Sequence, residues 1–106
     1  VEAGFTDMLA LGKAMGVSPA EVGTLFEHFN PGASLPTRFK RMIEGNYDQP
    51  SWDLAMARKD ARLMQEEAHG AHLVMLPQMA ALMDVMIGRG CGEQDWTVIA
   101  KDLLEK

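Results

Sequence analysis

Apolar residues recur at helical spacing through almost the whole chain. Phe5, Met8, Leu9, Gly12 and Met15 fall three or four apart, which predicts an amphipathic helix from about Glu2 to Met15, with Gly16 as its stop. Ser18-Pro19-Ala20-Glu21 reads as a capping box, because Ser18 can accept from the Glu21 amide while the Glu21 side chain reaches back. Pro19 suits the first turn, having no donor to leave unsatisfied. Val22, Leu25, Phe26 and Phe29 supply the apolar side of this second helix, and Asn30-Pro31-Gly32 ends it. A third helix is expected from about Leu35 to Glu44, capped by Ser34 and tolerating Pro36 in its first turn. Its expected buried side is Leu35, Phe39, Met42 and Ile43, with Arg38, Lys40 and Arg41 facing outward.

Tyr47 to Ser51 has no period and reads as a loop, with Pro50 restricting the residue before it. The clearest stripe follows: Leu54, Ala57, Ala61, Met64 and Ala68 step by three and four from about Trp52 onward. Arg58, Lys59, Arg62 and Glu66 lie off that stripe, and Arg62 and Glu66 are spaced to pair. Pro77 opens a further helix with Met79, Leu82, Met83, Met86 and Ile87 on its apolar side, and Gly88, Gly90 and Gly92 loosen its end. Asp95 caps a short final helix containing Val98, Ile99, Leu103 and Leu104. No stretch alternates as a strand would. The expectation is an all-α fold of about six helices around one core, a single domain over residues 1–106.

Composition narrows the function classes. The chain is 47% apolar and 24% charged, an ordinary globular balance. Its formal charge of −5, from 15 acidic and 10 basic residues, argues against a nucleic-acid partner. No apolar run approaches the roughly 20 residues of a membrane span. A lone cysteine, Cys91, excludes an internal disulfide framework and fits a cytoplasmic setting. Nine methionines suit adaptable core or interface packing, with a groove for partner helices as the second reading.

Little in the chain has the spacing of a complete catalytic site. The alternating Gly88, Gly90 and Gly92 follow a helix, whereas a dinucleotide turn needs Gly-x-Gly-x-x-Gly after a strand, so they read as a connector. His69 and His72 share a helical face but do not close a metal site, and His28 has no suitable neighbour. Adjacent Glu66 and Glu67 diverge around a helix. Ser18, Ser34 and Ser51 precede helices and are explained as caps. The remaining candidates are Lys59, which points away from the alanine stripe and can reach into a cleft, and Asp60, which can orient it.

The order of segments carries a resemblance. Met8-Leu9-Ala10-Leu11-Gly12-Lys13-Ala14-Met15-Gly16 precedes the Ser18 start, and Arg41-Met42-Ile43-Glu44-Gly45-Asn46-Tyr47 leads through Trp52-Asp53-Leu54 to Lys59-Asp60. Gly88-Arg89-Gly90-Cys91-Gly92 runs on through Asp95-Trp96 into the last helix. Taken together, these resemble the C-terminal helical domain of the β-hydroxyacid dehydrogenases, the family of 3-hydroxyisobutyrate dehydrogenase and tartronate semialdehyde reductase. The fold so implied is like the 6-phosphogluconate dehydrogenase C-terminal domain. Departures are Gly70 where relatives place a glycine nearer His72, and Met83 where they often carry a tyrosine.

The resemblance implies one part of a two-domain NAD- or NADP-dependent enzyme acting on a small 3-hydroxy acid or its semialdehyde, in the cytoplasm and as a homo-oligomer. Its cofactor-binding glycines and principal lysine would lie upstream of Val1, so no cofactor is expected on this chain and the isolated chain should be inactive. Lys59 matches the family's auxiliary catalytic lysine, which with Asp60 approaches the nicotinamide, and Trp52 falls where relatives place an aromatic residue by the cleft. Hydride transfer would be the cofactor's chemistry, with the lysines stabilising charge on the substrate oxygen. The methionine-rich faces would then pack on a second subunit or on the interdomain helix. Two other readings are open: a stand-alone dimerisation or interaction module, and a domain of an imine-reductase-like enzyme with the same helical architecture.

Overall fold

The fold, a computed structural model describing residues 1–104, is helical throughout and contains no strand among those residues. Its α-helices are α1 (Glu2–Ala14), α2 (Pro19–Gly23), α3 (Leu25–His28), α4 (Leu35–Glu44), α5 (Leu54–Glu67), α6 (Leu76–Gly88) and α7 (Lys101–Leu104). Tight 3-10 turns at Pro31–Ser34 and Trp96–Ala100 lead into α4 and α7. If α2 with α3, and the last turn with α7, are each taken as one stretch, six helical stretches result. No helix among the described residues is long and apolar enough to cross a membrane.

The core forms where two apolar stripes face each other. Leu54 and Ala61 of α5 and Ala80, Met83 and Met86 of α6 are buried, whereas Met64 and Leu82, expected on the same stripes, stay exposed. Tyr47, Cys91 and Val98 complete the cluster, with Ala57, Leu76 and Ile99 packed at its margin. Asp53 begins α5 by accepting from the Met56 amide at 2.8 Å. The expected Arg62–Glu66 pair forms at 2.9 Å. The glycine-rich link after α6 folds back on α5: the Ala55 amide donates to the Gly92 carbonyl and the Leu54 amide to the Gln94 carbonyl, both at 2.9 Å.

Before Tyr47 the outcome differs from the pattern. The capping box at Ser18 forms as the spacing requires, but the helix it starts stops at Gly23. There the Thr24 hydroxyl donates to the Glu21 carbonyl at 2.6 Å, and the chain restarts as the short α3. Glycine's low propensity and this back-bond together explain the break. None of α2 or α3 is buried; Phe26 meets Phe5 edge-on at 5.6 Å and both remain partly exposed. Gly12 lets α1 approach α2 closely, because a Cβ there would lie 2.7 Å from Val22 Cγ2.

Helix α4 keeps its expected bounds, and Arg38 and Lys40 stay exposed as expected, but its apolar side is not buried beyond a half-covered Met42 and Arg41 is not outward. Leu35, Phe39 and Ile43 are exposed at 59%, 66% and 64%, whereas the Arg41 side chain is only 28% exposed. The reason is a buried anion. Asp95 lies inside the fold and draws Arg41 to it, at 2.7 Å, so this one basic side chain turns inward. Two expected caps also change. Ser34 lies within a 3-10 turn that Asn30 begins, and its hydroxyl donates to the Pro31 carbonyl. Ser51 does not cap α5; its amide donates to Asp95 at 3.0 Å.

Candidate functional site

Lys59 and Asp60 project in different directions because successive helical residues are turned by about 100°. Asp60 neighbours the inward stripe of Ala57 and Ala61 and is partly buried, whereas Lys59 lies on the outward side of α5 and is exposed. Neither has an ion pair among the described residues, so Asp60 is not seen to orient Lys59. Trp52 is held by its backbone: its carbonyl accepts from the Trp96 amide at 2.9 Å, and its amide donates to Asp95 at 3.5 Å. That leaves the Trp52 indole 47% exposed.

Trp52 and Asp60 meet in one groove of about 320 Å³, walled by Met64, Met79, Met83 and Trp96. Arg38 reaches its rim from α4, with its guanidinium carbon 5.8 Å from the centre of the Trp96 ring. The groove is therefore mainly apolar, with one carboxylate and one guanidinium at its edges. Lys59 does not line it. The structure thus brings together two of the three residues singled out by sequence and places the third on an adjoining exposed face. Methionine spacing on α5 and α6 signals the groove's walls, but nothing local in the sequence signals Arg38 or Trp96.

Two buried carboxylates organise the elements around this groove. Asp95 accepts from Arg41, from the amide and hydroxyl of Ser51, from the Trp52 amide, and from the amide and hydroxyl of Thr97. Burial alone would raise its pKa; the hydrogen bonds from Thr97, Ser51 and Trp52 outweigh it and hold the carboxyl down at about 2. Asp95 is therefore ionised, and fixes Trp52 and Trp96 on the two sides of its own loop contacts. Only its capping of Thr97 is legible in the sequence.

Asp7 plays the corresponding part for α6. Its carboxylate accepts from the amides of Val74, Met75 and Leu76 at 2.5, 2.9 and 2.7 Å, satisfying donors at the start of a helix 69 residues away in sequence. Burial opposes ionisation, but these amides, helped by the charge of His72, hold its pKa below the ordinary value. Nothing about Asp7 in the sequence marks it as a cap.

The residues present do not fit a dinucleotide's pyrophosphate. No strand precedes a glycine-rich turn among the described residues, and Gly88, Gly90 and Gly92 serve as the connector between α6 and the last turn. His69 is exposed, with φ of +50°, and lies 3.9 Å from Glu67. No group of three or more His, Cys, Asp or Glu side chains among the described residues is arranged to hold a metal. No protein-family model matches this chain, and no curated protein does.

Proposed function

We propose that this chain is the helical substrate-cleft and oligomerisation domain of an NAD(P)-dependent oxidoreductase acting on a small 3-hydroxy acid or its semialdehyde. The observation that carries the reading is the disposition of α5. It presents an exposed ammonium at Lys59, unpaired among the described residues, beside a groove lined by Trp52 and Asp60. The resemblance in segment order supports the same assignment. A lone buried Cys91 accords with a reducing, cytoplasmic setting. In this reading α5 is one wall of a cleft whose cofactor-binding wall belongs to another domain. Lys59 supplies a charged donor to an anionic or carbonyl oxygen, and Trp52 excludes water from the mouth.

The test begins with the coding sequence upstream of Val1, where a strand, a Gly-x-Gly-x-x-Gly turn and a helix are expected. In the protein that carries that domain, Lys59→Ala should lower kcat/KM at least tenfold or so, while Arg62→Ala, on the same helix, should leave it unchanged. Equal activity of the two variants would remove Lys59 from the site. The isolated chain should not oxidise NAD(P)H with a semialdehyde, and robust turnover by it would overturn the proposal. A second reading, an interaction module without chemistry, is favoured by the exposed Leu35, Phe39 and Ile43 on α4. It predicts self-association without any upstream nucleotide-binding segment.

A further inference from the structure

The side of α4 that carries Arg38 and Arg41 borders a second, polar cavity, which adjoins the cleft and shares Arg38 with it. Ser34, Arg38 and Arg41 follow one another at one-turn spacing, with Thr37 beside them, so all four turn towards the loop holding Ser51 and Asp95. Together they line a space of about 230 Å³. Arg41 donates through Nη1 to Asp95 at 2.7 Å and to the Ser51 hydroxyl at 3.2 Å. Arg38 donates through Nε to the Ser34 hydroxyl at 3.3 Å and lies over the Trp96 ring. Each guanidinium is thus fixed along one edge and has further N–H groups without a partner among the described residues. The Thr37 hydroxyl is likewise unpartnered there.

The charge balance of the cavity is uneven. Asp95 is its one carboxylate, and both of its oxygens already accept several hydrogen bonds. Two guanidiniums face it, so among the described residues one positive charge has no counter-ion in the cavity.

We propose that this cavity binds the carboxylate of a small organic acid, held by the free edges of Arg38 and Arg41 and by the Thr37 hydroxyl. Planar guanidinium forks match a carboxylate's two oxygens, and donors already held in place lose little freedom on binding. Charge selects the class. One monoanion leaves the cavity neutral, whereas a dianion would place excess negative charge beside Asp95. Size agrees, since the space lies below the roughly 300–1,000 Å³ of pockets for drug-sized ligands. The site adjoins the proposed cleft through Arg38, but Lys59, Asp60 and Trp52 do not line it, and it stands whether or not the chain belongs to an oxidoreductase.

Titrating the chain with acetate at pH 7 and constant ionic strength tests this, read by the Ser51, Trp52 and Thr97 amides, the arginine Nε–H signals and Trp96 fluorescence. The expected result is saturable change with a Kd on the order of millimolar, and weaker binding of inorganic phosphate. Arg38→Gln, at an exposed position, should weaken acetate about tenfold or more, and Thr37→Val about threefold. Arg62→Gln should have no effect. Linear drift without saturation, unchanged affinity in both cavity variants, or phosphate binding as tightly as acetate would overturn the proposal.

Discussion

From Tyr47 onward the helices bury part of their apolar stripes against one another; before it the apolar side chains are left largely exposed. Every member of the buried apolar cluster, from Tyr47 through Leu54, Ala61, Ala80 and Met86 to Val98, lies in the second region. In the first, Phe5, Leu9, Phe26, Phe29, Phe39 and Ile43 are all at least 40% exposed. The first region is instead tied on by carboxylates: Asp7 of α1 accepts three amides at the start of α6, and Arg41 of α4 pairs with Asp95. One region is held by packing, the other by polar anchors that cross to it. The same helical periodicity serves both, which shows that an apolar stripe specifies a face to be covered without specifying what covers it.

The comparison breaks most severely at its seam. Asp95→Ala leaves Arg41 without its counter-ion and removes the acceptor for Ser51, Trp52 and Thr97, so a loss of about 3–5 kcal/mol is expected from urea unfolding. Leu54→Ala, at a fully buried position, should cost about 2–4 kcal/mol by the same measurement. A smaller loss at Leu54 than at any apolar residue before Gly45 would invert the assignment of the core. Asp7→Asn should cost about 1–3 kcal/mol, because its amide can accept less and cannot offer charge to three donors. At the small end, Phe39→Ser should change stability by no more than about 0.5 kcal/mol. A large loss there would mean that α4 packs through its apolar face after all.

Acidity sharpens the same contrast. The Asp95 carboxyl is held at about 2 in the fold against 3.8 ordinarily, so folding favours its ionised form. Its contribution is fully present above about pH 4 and is lost as pH falls towards 2. Stability measured across that window should decline more steeply for the native chain than for Asp95→Asn, which has no such proton to take up. Asp7 shifts in the same direction and adds to the decline.

The second region was largely legible in the sequence, because its signals are local and agree with one another. The alanine stripe of α5, the Arg62–Glu66 pair, Pro77 at the start of α6 and the Asp95 cap all appear where spacing puts them. In the first region the bounds of α1 and α4 were legible, but not the break between α2 and α3 nor the exposure of the apolar side chains. Whether Arg41 points inward depends on Asp95, 54 residues away, and no periodicity contains that information. The candidate site divides in the same way. Asp60 and Trp52 converge on one groove, while Arg38 and Trp96 enter it by tertiary contact alone.

Native-state hydrogen exchange along the chain tests the division most directly. Amides in the middle of α5 and α6, around Ala61 and Met83, should exchange only through global unfolding. Those of α2, α3 and α4 should exchange through smaller openings that depend little on denaturant, and in Asp95→Asn the α4 amides should lose protection first. Equal protection of α4 and α5, with the same denaturant dependence, would contradict the account.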